Sequence, residues 1–304
     1  MNTTKLKGHS AMAGAELMWG LGAPVGKMIL GGGISSLILT DCRMIGAAIL
    51  FWIISCFIPA EKIESGDMLR MFFASMLGIV INQCCFLWGL SMTSPINASI
   101  ITTSMPIITM ILAAVILHEP ITKLKAGGVF LGAIGALILV MASHSGDSTG
   151  SVAGDIMIII AQISFACYLV LFKNLIAKYS AITLMKWMFT YASICVIPFS
   201  YRDWMLSDLS ALSPAVMWGV AFFVAGPTFI SYLLLPLGQR NLRPTVTAMY
   251  NYVQPIVASA AAVAVGMDQL TPANAIAVML VFAGVFMVTK SKSLADIQKS
   301  DCQS

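Results

Sequence analysis

The chain has 304 residues, of which 59% are hydrophobic and only 10% are charged, with a net charge of +4. Soluble domains are about 45–50% apolar and about 25% charged, so this chain has too few charges to cover a surface that faces water. A large soluble domain, a nucleic-acid-binding module and a disordered chain are therefore excluded, and we predict an integral membrane protein.

Ten apolar stretches follow one another along the chain, separated by charges or by Gly, Ser and Pro clusters. They cover residues 9–29, 35–58, 68–90, 95–117, 124–142, 153–173, 182–200, 215–238, 244–266 and 271–289. Most are long enough to cross a hydrocarbon core of about 30 Å as helices. Their apolar residues are continuous and do not alternate, which excludes the strands of a membrane barrel. The sequence predicts an all-α polytopic membrane protein with ten transmembrane helices.

The distribution of Lys and Arg predicts how these helices are oriented. If the amino terminus is cytoplasmic, only Lys27 and Arg202 fall on the outer side. The tails and inner connections then hold Lys5, Lys7, Lys62, Arg70, Lys123, Lys125, Lys173, Lys178, Arg240, Arg243, Lys290, Lys292 and Lys299. Cytoplasmic loops of membrane proteins carry an excess of these residues. We therefore expect both termini in the cytoplasm.

An internal repeat relates the two halves of the chain. With a shift of 149 residues, region 89–140 aligns with region 238–289 without a gap, and ten positions are identical. The aligned pairs include Pro106 with Pro255, Glu119 with Asp268 and, weakly and at a slightly different shift, Glu16 with Gln162. Five helices per repeat is an odd number, so the second copy must enter the membrane upside down.

We therefore predict two inverted five-helix repeats, residues 1–142 and 153–290. An outer linker at 143–152 joins them, and a cytoplasmic tail at 291–304 follows. Inverted repeats are typical of secondary transporters, in which the two halves exchange conformations to turn a central site from one side to the other. Duplication in a channel or a structural protein is the alternative.

Two prolines predict irregular backbone inside the membrane. Proline within a helix frees the carbonyl group four residues earlier, so Pro106 frees Thr102 and Pro255 frees Asn251. At membrane depth such backbone is tolerated only where it is buried in protein or lines a cavity. Polar side chains also gather at matching depths of these and neighbouring helices, which favours a central cavity.

Eight residues are the candidate substrate contacts: Glu16, Asn82, Gln83, Thr102, Tyr232, Tyr250, Asn251 and Gln254. For each of them, a hydrogen bond between helices is an alternative role.

Glu16 is the sharpest candidate, because an ionisable residue within a membrane helix costs several kcal/mol and is a functional hypothesis by default. It could be protonated during transport, bind a cationic group, or pair with Arg43 of the second helix. Asp41 and Lys186 lie nearer helix ends, where we expect the side chains to reach toward the membrane surface.

Enzyme and metal signatures are missing from the sequence. The three histidines have no metal-ligand spacing, and Gly22–Lys27 is too short for a phosphate-binding loop. No carboxylate pair or nucleophile–base set lies at a shared depth. We expect no enzyme activity, no cofactor, no metal and no use of ATP.

Several motifs resemble the EamA family of the drug/metabolite transporter superfamily. They are the string FLWGLSMTSPINASII at 86–101, then Pro106, LHEPIT at 117–122, the Gly-rich stretch 127–139, the pair Trp19-Gly20, and Arg43. The resemblance implies a helical bundle with a central cavity and alternating access in the bacterial cytoplasmic membrane. Known members export amino acids and other small metabolites, and some relatives are exchangers. The second repeat is less typical, because Asp268 replaces the usual Glu.

We expect a secondary transporter that moves a small polar or amphipathic metabolite, such as an amino acid, outward through the lipid bilayer. Protons are the candidate coupling ion, with Glu16 as their carrier. Structural or gating roles are assigned to Arg43, Pro106, Glu119, Pro255 and Asp268. A channel or a lipid-moving membrane protein built on the same repeat is the alternative.

Overall fold

The structure is a computed structural model that describes residues 3–93, 95–142, 151–207, 212–264 and 272–292. Every regular element within these ranges is helical. The α-helices are α1 (Thr3–Gly31), α2 (Ser36–Ser55), α3 (Ser65–Ser75), α4 (Asn82–Met92), α5 (Pro95–Thr102), α6 (Met105–Leu117), α7 (Lys123–Ala142), α8 (Val152–Leu171), α9 (Lys173–Lys178), α10 (Ala181–Leu206), α11 (Pro214–Phe223), α12 (Ser231–Asn241), α13 (Pro244–Met249), α14 (Val253–Ala264) and α15 (Pro272–Lys290).

Eight helical segments of the described chain are long and apolar enough to cross a membrane. They are Ser36–Ser55, Ser65–Leu90, Ile100–Leu117, Lys123–Met141, Val152–Leu171, Ala181–Leu206, Pro214–Asn241 and Pro272–Lys290. The other two predicted spans coincide with α1 and with the interrupted segment α13–α14. The all-helical membrane architecture is confirmed, and the count of ten transmembrane helices stays a prediction.

Two long helices each contain a π-helical segment, which the apolar pattern of the sequence did not predict. Residues Met76–Ile81 join α3 to α4, and residues Val224–Ile230 join α11 to α12. A π-helical turn takes up an extra residue, which rotates every later side chain by about 100° relative to a regular helix. The two segments therefore set the directions of the polar residues that follow them, Asn82 and Ser231 among others.

The predicted fourth span is not continuous, because the helix breaks at Thr103 and Ser104 between α5 and α6. Pro106 lies in the first turn of α6, where its missing N–H is tolerated. The hydroxyls of Thr103 and Ser104 donate to the carbonyl oxygens of Ile100 and Ile101, which competes with continued helix hydrogen bonding. The ninth predicted span is interrupted too, by the 3-10 turn Tyr250–Tyr252 before Pro255.

Glycines allow α7 and α15 to pack so closely that their backbones are in contact. A Cβ atom added at Gly284 would lie 2.5 Å from the carbonyl oxygen of Gly128 and 2.7 Å from the backbone nitrogen of Gly132. Small residues allow such close packing between membrane helices, where van der Waals contact replaces the hydrophobic effect as the source of association.

Several polar contacts bring one set of helix ends together. Arg240, at the end of α12, donates to the carbonyl oxygen of Ala177 in α9. Lys178 of α9 lies 2.6 Å from the carboxylate of Asp67 at the start of α3 and 2.7 Å from that of Glu64. These hydrogen bonds raise the pKa of Lys178 above its usual value. This end of the bundle, where α1, α3 and α10 begin, is called the amino-terminal face below.

Candidate substrate-binding site

The first polar group of the interior is built around Arg43 of α2, which is 5% exposed. Its Nε donates to the Thr228 hydroxyl at 2.9 Å, and its Nη1 donates to Gln83 Oε1 at 2.8 Å. Gln83 in turn donates through Nε2 to the hydroxyl of Tyr232 at 2.9 Å. The guanidinium carbon also lies 5.0 Å from the centre of the Phe223 ring. This arrangement, the Arg43 network, surrounds a buried cation with neutral partners.

The second polar group contains Glu16 of α1, which is 2% exposed. Its Oε2 accepts a hydrogen bond of 2.7 Å from Gln254 Nε2. The same Gln254 nitrogen lies 2.8 Å from Asn251 Oδ1, and Asn251 Nδ2 donates to the carbonyl oxygen of Thr102 at 3.1 Å. This arrangement, the Glu16 network, surrounds a buried carboxylate with amides. It also satisfies the carbonyl group that Pro106 was predicted to free.

Glu16 and Arg43 form no ion pair with each other, so the structure does not contain the pairing that the sequence left open. Trp19, one turn after Glu16 on α1, contacts the Arg43 network. Its ring packs edge-on against Tyr232, with ring centres 5.7 Å apart. The interior therefore holds a buried carboxylate and a buried guanidinium, each hydrogen-bonded to neutral polar groups.

Three of the interior hydrogen bonds join residues that are 149 residues apart, the shift that aligns the two halves of the sequence. They are Gln83 with Tyr232, Asn251 with the carbonyl of Thr102, and Tyr252 with the carbonyl of Thr103. Two further bonds are equivalent across the alignment: Asn82 donates to the carbonyl of Ala161, and Ser231 to that of Ala15.

The predicted contact residues thus fall into different surroundings. Asn82 donates its amide N–H to the carbonyl oxygen of Ala161, so in this structure its side chain joins α4 to α8. Tyr250 does not join the Glu16 network. Its hydroxyl lies 2.6 Å from His9 Nδ1, at the amino-terminal face and two turns before Glu16 on α1. His9 and Thr228 were missed as candidates; the spacing of seven residues between His9 and Glu16, which places both on one helix face, was the available signal.

Glu119 belongs to a buried ion pair apart from both networks. Its Oε2 lies 2.8 Å from Lys125 Nζ, whose side chain is 1% exposed, and its Oε1 lies 3.8 Å from Lys173 Nζ. The preceding His118 has φ of 52°, a left-handed conformation that ends α6 and directs Glu119 inward. The structural or gating role assigned to Glu119 stays a prediction. Asp268, its aligned partner, lies outside the described residues.

Asp41 does not extend toward the membrane surface as expected. It is 1% exposed and accepts hydrogen bonds from the Ser200 hydroxyl and from Trp204 Nε1, both on α10. The expectation was wrong because two donors on a neighbouring helix bond to one oxygen of the carboxylate, Oδ2, inside the bundle.

A cavity of about 460 Å³ lies between α2 and α10, away from both polar networks. Its walls are mainly apolar side chains of these two helices, with Thr190 and Ser193 as the polar exceptions, so it differs in place and chemistry from the predicted central cavity. The central cavity stays a prediction.

Similarity to known proteins agrees with this architecture. The model of the EamA-like transporter family matches residues 6–141 and 152–290. The uncharacterized transporter YyaM of Bacillus subtilis is 27% identical over 213 residues, which is 69% of each chain. The S-adenosylmethionine uptake transporter of Rickettsia bellii is 26% identical over 175 residues, covering 58% of this chain and 57% of the relative. A protein of known crystal structure superposes with a TM-score of 0.78 at 14% identity, over 95% of this chain and 98% of that one.

Helices of membrane-spanning length and apolar composition, packed around buried polar networks, define a multi-pass membrane protein. The match of the family model to both halves identifies it further: the chain belongs to the EamA-like transporter family.

Proposed function

We propose that this protein is a secondary active transporter that carries a small polar metabolite across the bacterial cytoplasmic membrane by alternating access. The pairing of aligned residues supports this proposal most. When two copies of a unit are related by a two-fold axis, equivalent residues can contact each other only close to that axis. Gln83 and Tyr232, and likewise Thr102 and Asn251, are such pairs.

For inverted repeats the axis lies in the membrane plane, so the same pairs belong at mid-depth, where transporters of this kind bind their substrates. The family model supports the domain division, because it matches once in each proposed repeat. Exchange of conformation between residues 1–142 and 153–290 would then open the polar centre to each compartment in turn.

The charges of the site suggest the chemistry of the substrate. A buried charge without an opposite partner is costly in a membrane, and both Glu16 and Arg43 have neutral partners in this structure. A metabolite that carries an ammonium and a carboxylate group, such as an amino acid, would supply a partner to each. The S-adenosylmethionine named for one relative carries both groups, although the name of that relative specifies uptake.

Glu16 is the proposed proton carrier. A carboxyl group buried among amides can exist in either protonation state at modest cost to its hydrogen bonds, because Gln254 can donate to it and Asn251 and Gln254 oxygens are acceptors. Binding of a proton or of a substrate ammonium at Glu16 would then be competitive, which couples the two movements.

Uptake assays in proteoliposomes distinguish a carrier from a channel. Vesicles loaded with unlabelled amino acids are diluted into trace labelled amino acids, each tested alone, with empty vesicles as the control. A carrier gives saturable uptake that internal substrate accelerates. Flux that rises linearly with concentration and ignores internal substrate would establish a channel instead.

The direction of transport and the orientation of the protein in the membrane are tested separately. Untargeted comparison of metabolites inside and outside cells, with and without the protein, identifies the exported compound. Reporter tags at the two ends are expected to respond as cytoplasmic, since both termini are proposed to lie there. Tags that report opposite sides of the membrane would overturn the inverted repeat.

A further inference from the structure

The cavity between α2 and α10 has the shape and chemistry of a site for a lipid chain. Its floor is formed by Ala48 and Ser193, both 9% exposed, and its rim by exposed isoleucines such as Ile49 and Ile194. Two small residues facing each other between larger ones leave a groove on the outer surface of the helix pair. Apolar walls in a membrane protein favour a hydrocarbon occupant.

The groove has a polar end and an apolar end. Trp52 and Thr190 lie toward the amino-terminal face, and Ile45 and Ile197 lie toward the middle of the helices, since the two helices are antiparallel. From residue 186 to residue 197, α10 rises about 16 Å, close to the depth of one leaflet of a hydrocarbon core of about 30 Å. The groove therefore matches one acyl chain that runs from the headgroup level to the bilayer centre.

Lys186 places a positive charge at the polar end of the groove. Its Nζ lies 4.5 Å from the centre of the Trp52 ring, and Trp52 Nε1 donates to the Thr190 hydroxyl at 2.9 Å. Within the described part of the chain, Lys186 belongs to no ion pair, whereas Lys125, Lys173 and Lys178 do. Glu61, in the segment between α2 and α3, accepts instead from the N–H of Ser180, the residue that precedes α10. The Lys186 ammonium is thus available to an anion from the membrane.

We propose that this groove binds one anionic phospholipid, with an acyl chain on Ala48 and Ser193 and the phosphate at Lys186. In the orientation proposed above, the lipid comes from the cytoplasmic leaflet. Trp52 is held at the level where tryptophan prefers to lie, between headgroups and chains, by its bond to Thr190. The site is separate from the proposed substrate site, so lipid binding and transport can be tested independently.

Fluorescence quenching in vesicles tests the proposal. The protein is reconstituted in phosphatidylcholine that contains increasing fractions of phosphatidylglycerol with a brominated acyl chain, which quenches a tryptophan that it touches. Brominated phosphatidylcholine is the matched neutral lipid. The difference between the protein and its Trp52→Phe variant isolates the signal of the groove from the other tryptophans.

We expect saturable quenching of Trp52, with half-quenching at a roughly fivefold lower fraction of the anionic lipid, the preference that one lysine near a headgroup supplies. Lys186→Gln should abolish this preference, and Lys186→Arg should retain it. Lys290→Gln is the control, because Lys290 also stacks on an aromatic ring, 5.7 Å from the centre of Phe286, at a helix end without this groove.

Variants that fill the groove with a larger side chain give a second, independent test of lipid binding. Ala48→Leu and Ser193→Leu each put a larger side chain on the floor and should shift quenching by both lipids to higher fractions. Helix content by circular dichroism shows which of the two variants folds. Equal quenching by the two lipids in the unmodified protein, or an anionic preference that survives Lys186→Gln, would overturn the proposal.

Discussion

The side-chain amide of Gln83 donates a 2.9 Å hydrogen bond to the hydroxyl of Tyr232, a residue at the aligned position of the other half of the chain. Gln83 also accepts from Arg43, so it connects the buried guanidinium to this contact between the halves. A movement of one half against the other must break or rotate this bond. The pair therefore lies where a change of conformation and the buried charge of Arg43 would influence each other.

Replacement of Glu16 tests proton coupling. Glu16→Gln preserves the size of the side chain and an oxygen that can accept from Gln254. Uptake driven by a pH gradient should be abolished, because an amide cannot release a proton. Counterflow without a gradient should continue but require a higher substrate concentration, because the amide oxygen still accepts from a substrate ammonium without attracting its charge. Glu64→Gln, at an exposed carboxylate, is the control and should leave both activities unchanged. Gradient-driven uptake that persists in Glu16→Gln would eliminate Glu16 as the carrier.

Replacement of Arg43 tests recognition of an anionic group. Arg43→Lys keeps the charge but cannot donate to Thr228 and Gln83 in the same forked geometry. We expect loss of about 2 kcal/mol of binding free energy for a carboxylate substrate, roughly thirtyfold in affinity. Binding in detergent, measured by calorimetry with the amino acid found in the flux assay, gives the value. An unchanged affinity would place the carboxylate elsewhere; Arg202→Lys, at an exposed position, serves as the reference.

The packing of α7 against α15 is tested at two glycines. Gly284→Ala introduces a methyl group against backbone atoms of Gly128 and Gly132, which can yield only if the helices separate. We expect the unfolding free energy to fall by about 1–3 kcal/mol, measured by denaturation in detergent. At Gly127 the nearest atom to an added methyl group is the flexible end of Met287, 3.4 Å away, so Gly127→Ala should be tolerated. Equal stability of the two variants would refute the close contact.

The buried pair of Glu119 and Lys125 is tested by a double-mutant cycle. Either Glu119→Gln or Lys125→Met leaves one buried charge without its closest partner and should cost about 3–5 kcal/mol of stability. The double variant should recover most of that loss, because neither charge remains. By contrast, Arg70→Gln removes an exposed partner of Asp67 and should change stability by less than about 1 kcal/mol. Additive losses in the double variant would contradict direct pairing.

Local sequence signals predicted the helix interruptions well and the side-chain contacts poorly. Pro106 and Pro255 were recognised as sites of irregular backbone because proline acts within one helical turn, whatever surrounds it. The π-helical segments 76–81 and 224–230 decide where Gln83 and Ser231 point. The first contains no proline, and Pro227 in the second was not used as a signal. The pairing of Glu16 with Gln254, and of His9 with Tyr250, joins residues more than 200 positions apart.

Composition and local patterns were enough to identify a helical membrane protein with a duplicated pattern of prolines, glycines and polar residues. They were enough because membrane insertion and helix breaking depend on composition and on neighbours within a turn. The packed helices were needed to show that Glu16 and Arg43 lie in separate networks, that Asp41 is held by α10, and that α2 and α10 form an apolar groove on their outer surface. These outcomes depend on how each helix is rotated about its axis, and that rotation is set by packing against the other helices.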